Sequence, residues 1–267
     1  MPWIVELLPT HLLVFTLVLG RVGGMVFVAP LFSAMAVPAH IRAFVAIALA
    51  ILLLPAQATS DIVAPASLIE WLLTVGVELL IGLALGVGAT ILIAGMQLAG
   101  QLMAQASGLS LAEVFDPGLD ANVPVVSQFL GSFTLAVYLL IGGHRWLLAG
   151  LMNTFSTLPL GSGRLPGSVA DALVALLTES FSLGIKAAAP LVISLLLATL
   201  VLGLIGRTLP QLNILSVGFG PNAIIAFGML AMLLGTIAWL FEDRLQPAIV
   251  LVLDALASTG PNTLELR

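Results

Sequence analysis

Three glutamines, Gln97, Gln101 and Gln105, recur every four residues, so they share one face if the segment is helical. Their amides donate and accept hydrogen bonds. On such a face they either glue helices together or line a wet conduit. They belong to a stretch that runs from Gly100 to Gly108 and on to Glu113-Val114-Phe115-Asp116-Pro117. Hydrocarbon satisfies neither amides nor irregular backbone, so a segment of this kind is wrapped in protein or lines an aqueous path. Past Gly108, the residues Leu109, Leu111, Val114 and Phe115 are apolar and lead into the break Asp116-Pro117-Gly118. As a plain surface loop they would form an exposed apolar patch without a partner. That favours a plug or re-entrant gate over residues 109–122, closing a narrow channel by dewetting. Gly108 and Gly118 would serve as its hinges.

Ionisable side chains sit within or beside apolar runs at Arg21, Glu78, Lys186 and Arg207. Each is costly in lipid and is expected to face protein. They could form a proton or ion relay, or they could form ion pairs and carbonyl caps between helices or subunits. The structural role is favoured, because a relay needs clustered carboxylates and Glu78 stands nearly alone. His11, His40 and His144 are scattered, with no second ligand at metal spacing, so no metal or other cofactor is expected. There is no Ser-His-Asp order, nucleophile elbow, glycine-rich phosphate loop or paired-carboxylate motif, and no catalysis is expected. The absence of cysteine excludes disulfide and thiolate chemistry.

The elements that must carry these groups are membrane helices. The 267 residues are 60% hydrophobic and 8% charged, with a mean hydropathy of +1.21, which no water-soluble domain shows. The length suits roughly five to seven spans with short loops in one membrane domain. No basic patch suggests nucleic acid. The start of the chain, with Glu6 and no Lys/Arg cluster, reads as the approach to a first helix rather than a signal peptide. The first segment covers residues 11–29. The second, 43–54 between Arg42 and Pro55, reaches only about 18 Å against a hydrocarbon core of roughly 30 Å. It is therefore expected to be half of a hairpin. The third, 68–104, overshoots the membrane as a single helix, and Gly82 and Gly86 give it a small-xxx-small contact face. The fourth, 125–141, stops at Gly142-Gly143-His144, and 147–160 forms a second arm. Gly161 to Gly167 is the clearest linker. Segments at 169–205, holding Lys186 and Pro190, and at 214–241 follow. A final amphipathic piece covers about 245–257. Loop arginines slightly favour both termini inside.

Several landmarks occur together: Arg21 with Pro30, Val37-Pro38 with Arg42 and Pro55, Gly100-Gln101 with Gln105 and Gly108, Asp116-Pro117, and Gly206-Arg207-Thr208-Leu209-Pro210-Gln211-Leu212-Asn213. In this order and spacing the chain resembles the FliR/SctT family of export-gate proteins, the flagellar branch more than the injectisome branch. The resemblance covers about residues 4–257. One departure is visible, since Gly218-Phe219-Gly220-Pro221-Asn222 lacks the basic residue that many relatives carry after Gly-Phe-Pro.

The resemblance implies an all-α polytopic membrane protein of bent helical hairpins, with a FliP-like and a FliQ-like part, assembled into a helical gate. It implies FliP-like and FliQ-like partner subunits, FlhB-like and FlhA-like neighbours, and unfolded export substrates. It implies a place in the bacterial inner membrane at the flagellar basal body, with the assembled gate partly periplasmic. Residues 107–122 match the family's pore-closing plug, and Arg207, Gln211 and Asn213 fall in its second motif. Two other readings stand beside it. Broken helices and Lys186 would also suit a small secondary transporter, although no internal repeat is visible. An intramembrane hydrolase ranks last, since it needs a nucleophile-base pair that the sequence does not offer.

Overall fold

A computed structural model describes residues 2–33, 37–57, 67–108, 124–162, 164–208 and 214–258. Within them the fold is all-α. Its helices are α1 (Pro2–Val28), α2 (Pro30–Ser33), α3 (Ala39–Gln57), α4 (Leu68–Ser107), α5 (Val125–Leu140), α6 (Gly143–Thr157), α7 (Ser168–Thr208) and α8 (Ile214–Ala257).

Local chemistry sets several of the helix ends. Ser67 opens α4 as a cap, its Oγ accepting the Glu70 N–H at 3.2 Å, and Ser67 with Glu70 has the spacing of a capping box. The same helix stops where Gly108 turns to φ 75, a backbone angle that favours glycine. Between α5 and α6, Gly142 takes φ 79 and the two helices meet at a bend of 65°. Inside α7, Pro190 is accommodated without ending the helix, and Ser194 Oγ donates to the Pro190 carbonyl at 2.8 Å.

Among the described residues five helices are long and apolar enough to cross a membrane, and up to six spans result if the bent α5–α6 pair counts as one. The 40 residues of α4 reach about 60 Å, roughly twice the hydrocarbon core.

Three expectations are corrected. The second segment is not a short half-span, because α3 runs on through Arg42 and Pro55 to 19 residues and passes the length for crossing. Its flanking cation and proline lie in its first and last turns, where a membrane helix accommodates both. The first helix begins well before residue 11, at Pro2. The amphipathic piece at 245–257 is not separate, because α8 is continuous through Glu242-Asp243-Arg244 to Ala257.

By its contacts the chain divides into two compact units. The first takes Met1–Thr90, Gly142–Leu176 and Leu245–Arg267, and the second Ile91–Ile141 and Leu177–Arg244. In the first unit α1 packs on α4 backbone to backbone. A Cβ on Gly24 would strike the Leu79 carbonyl and one on Gly82 the Arg21 carbonyl, so only glycine allows this approach. Val18, Val22 and Met25 of α1 and Ile81 and Leu85 of α4 are buried. In the second unit α4 meets α7 at Gly95 and Gly184. A Cβ on Gly184 would lie 2.5 Å from the Gly95 carbonyl oxygen, and Ser180 Oγ donates to the Ile91 carbonyl at 2.6 Å. The same helix meets α5 at Gly100, where a Cβ would lie 2.5 Å from the Ser127 Cα.

Candidate functional site

Two constellations stand out, one in each unit. In the first unit, Arg21 of α1 is 0% exposed and Glu78 of α4 is 1% exposed. They lie in the glycine seam, one flanked by Gly20 and Gly24 and the other by Gly82, so the close helix approach draws their side chains together. Arg21 Nε donates to Glu78 Oε2 at 2.6 Å. Arg21 Nη1 donates to the carbonyls of Thr154 at 2.9 Å and Leu158 at 3.1 Å. The Phe155 ring centre lies 4.6 Å from the guanidinium carbon, a cation–π distance. The other carboxylate oxygen of Glu78 accepts the Gly161 N–H at 3.0 Å. Arg21 Nη2 is buried and has no hydrogen-bond partner among the described residues. The pair therefore ties α1 and α4 to the end of α6 and to the turn that follows. The two buried charges thus serve as an interhelix tie with backbone carbonyls and an N–H as further partners.

The second constellation is the end of α4. Gln97 and Gln105 are exposed and Gln101 is half-buried. Ser127 Oγ donates to the Gln97 carbonyl at 2.7 Å, and a Cβ on Gly131 would lie 2.7 Å from Gln97 Nε2, so the first glutamine lies against α5. The Gly108 N–H closes the helix on the Gln105 carbonyl at 3.3 Å. Beside Ser107 lies a small apolar hollow formed by Met103, Val126, Leu191 and Leu230. The chain thus leaves a 40-residue helix at a glycine turn, with one half-buried and one exposed amide, Gln101 and Gln105, in the preceding two turns.

The remaining sequence-derived candidates fall elsewhere. Leu109, Leu111, Val114, Phe115, Asp116 and Pro117 of the expected plug, and Gln211 and Asn213, lie outside the described residues. Lys186 and Arg207 are not enclosed by the described residues, since both are exposed on α7. Arg207 sits in the last turn of the helix, where a cation complements the helix dipole.

Sequence reasoning missed two pairings. Glu78 does not stand alone, because its partner is Arg21, 57 residues away. A lone base and a lone acid, each set among glycines at helix-contact spacing, were the available signal. The other pairing is Arg244 with Glu179, at 2.8 Å and partly exposed.

With this geometry in view, comparison with known proteins assigns the class. The profile of the family described as bacterial export proteins, family 1, matches residues 12–248, and the chain belongs to that family. It is an all-α, polytopic member of a bacterial export family, and the transporter and hydrolase readings give way to this assignment. Three relatives that cover most of their length carry the name flagellar biosynthetic protein FliR. The protein of that name from Escherichia coli (strain K12) is 30% identical over 237 residues, covering 89% of this chain and 90% of the relative. That from Bacillus subtilis (strain 168) is 31% identical over 264 residues, covering 96% and 98%. That from Caulobacter vibrioides is 29% identical over 231 residues, covering 86% and 92%. The resemblance drawn from the Gly-Gln, Asp-Pro and Arg-x-x-Pro-Gln-x-Asn landmarks is thereby confirmed.

Proposed function

We propose that this chain is a non-enzymatic subunit of the flagellar type III export gate in the bacterial inner membrane, at the basal body. The observation that carries this reading is the match to an export family over residues 12–248, with flagellar relatives alignable over most of both chains. In this reading the chain assembles with FliP-like and FliQ-like subunits beside FlhB-like and FlhA-like proteins. It helps form and close the pore through which unfolded substrates cross.

The physical role of the chain is gating by obstruction. A closed gate must stop ions and yet admit an unfolded chain once opened. Apolar side chains at Leu109, Leu111, Val114 and Phe115 suit closure by dewetting. The turn at Gly108, φ 75, supports a hinge at the start of that segment, because glycine keeps both signs of φ accessible. Gln101 and Gln105 supply amides one and two turns before the hinge, where a wet path needs hydrogen-bonding walls. The energy for export comes from partners and the proton gradient.

Deleting residues 109–115 tests the role. The assembled deletion mutant should make the membrane leaky to small solutes while still forming the gate. An assembled mutant with wild-type ion permeability refutes obstruction by this segment.

A further inference from the structure

We propose that the exposed stripe of α7 through Lys186 is a helix-docking surface, occupied by an apolar helix of another protein subunit that places a carboxylate level with Lys186. The proposal rests on the assembly reading above.

Lys186 lies near the middle of a 41-residue apolar helix. It is exposed, and among the described residues it has no hydrogen-bond or ion-pair partner. An adjoining side of α7, through Leu183, Ala187, Leu191 and Leu195, is buried. On the side of Lys186, helical periodicity aligns Ile193, Leu197 and Leu204 with it, and each is more than half exposed. A single cation is thus embedded in an uncovered apolar stripe. A charge in that setting pairs with an opposite charge or faces water.

No counter-charge comes from α7 itself. The acid on the same stripe is Glu179, two turns back and about 10 Å along the axis. It is already held by Arg244 at 2.8 Å. A lipid phosphate is the other anion in a membrane, but it is confined to headgroup level. Toward the start of α7 that approach passes Glu179 and Asp243, both paired with the single cation Arg244, a cluster of net negative charge that repels phosphate. Toward the other end, Thr208 lies about 33 Å away along the helix, across an apolar surface. A carboxylate carried on a partner helix can sit at the depth of Lys186 itself. The flanking stripe then packs on that helix as transmembrane helices do, by van der Waals contact with one polar pair.

The test uses the full chain co-expressed with its FliP-like and FliQ-like proteins. Partner-bound fraction is measured for K186R, K186M and K186E, and a photo-crosslinking residue replaces Leu197. Removing one member of a buried charge pair strands the other, so K186M and K186E should lose at least about tenfold in partner-bound fraction, while K186R stays within about twofold. Leu197 should crosslink a protein subunit. Lysine in place of the crosslinked helix's carboxylate should restore K186E. K186M removes a charge from an apolar face, so its membrane yield when expressed alone should match wild type, which separates lost docking from failed insertion. A K186M that assembles as well as wild type, or a Leu197 crosslink to lipid alone, overturns the α7 assignment and leaves the assembly reading standing. A wild-type chain that purifies without partners overturns the assembly reading and this proposal with it.

Discussion

Replacing Glu78 by Gln keeps the shape of the buried pair but removes the charge that balances Arg21. Both side chains are within 1% of full burial, so solvent does not screen what is left. Removing one member of a buried pair costs about 3–5 kcal/mol, because the other charge stays buried. R21M strands Glu78 in the same way and belongs in the same range. The double variant R21M/E78M strands neither charge. Its remaining losses are the Leu158 carbonyl, which loses Arg21 Nη1, and the Gly161 N–H, which loses Glu78. The Thr154 carbonyl keeps the Leu158 N–H at 2.9 Å. Two neutral backbone groups without partners cost about 1–3 kcal/mol each if they stay dry, and the exposed side of this turn lets water take part of that load. The double variant should therefore be no worse than either single, although additivity would put it at about 6–10 kcal/mol. The assay is thermal unfolding of the detergent-solubilised chain, followed by tryptophan fluorescence. Each single change should lower the midpoint by about 6–20 °C, with little dependence on salt because the pair is buried. A Glu78→Gln variant that melts with wild type, or a double variant equal to the sum of its parts, refutes the reasoning.

Two further outcomes follow from the backbone geometry. Gly82→Ala drives a methyl into the Arg21 carbonyl across the α1–α4 seam and should cost about 1–3 kcal/mol, whereas Gly23→Ala meets nothing within 4 Å and should leave the midpoint unchanged or slightly raised; equal melting of the two variants would contradict the seam. Gly142→Ala forces a side chain onto φ 79 and should cost about 1–2 kcal/mol, and paired spin labels on α5 and α6 should show a broadened distance distribution; an unchanged midpoint and distribution would mean that the bend does not depend on glycine there.

The sequence shows the helices more readily than their ends and partners. A bilayer demands long apolar runs, so the spans at α1, α4, α7 and α8 are plain, and Gly142-Gly143 marks the α5–α6 bend because consecutive glycines weaken a helix. The ends misled where a charge or a proline reads as a stop. Arg42 and Pro55 lie inside α3. The Glu242-Asp243-Arg244 run lies inside the continuous α8, and its Arg244 pairs with Glu179 of α7. The buried pair of Arg21 and Glu78 joins residues 57 positions apart. Spacing along one helix says nothing about such a contact, although the glycines around both residues mark where two helices can come close. Lys186 shows the opposite error. Cost in lipid suggests enclosure, yet the described residues leave it exposed on α7, and exposure of this kind has no signature along the sequence of a single helix.

The claim that this chain is one part of an export gate is tested most directly by its mass in company. The tagged chain should be co-expressed with its FliP-like and FliQ-like proteins, purified in detergent and weighed by native mass spectrometry. The account predicts a large hetero-oligomer containing one copy of this chain. A monomer or homodimer that ignores those partners would contradict it.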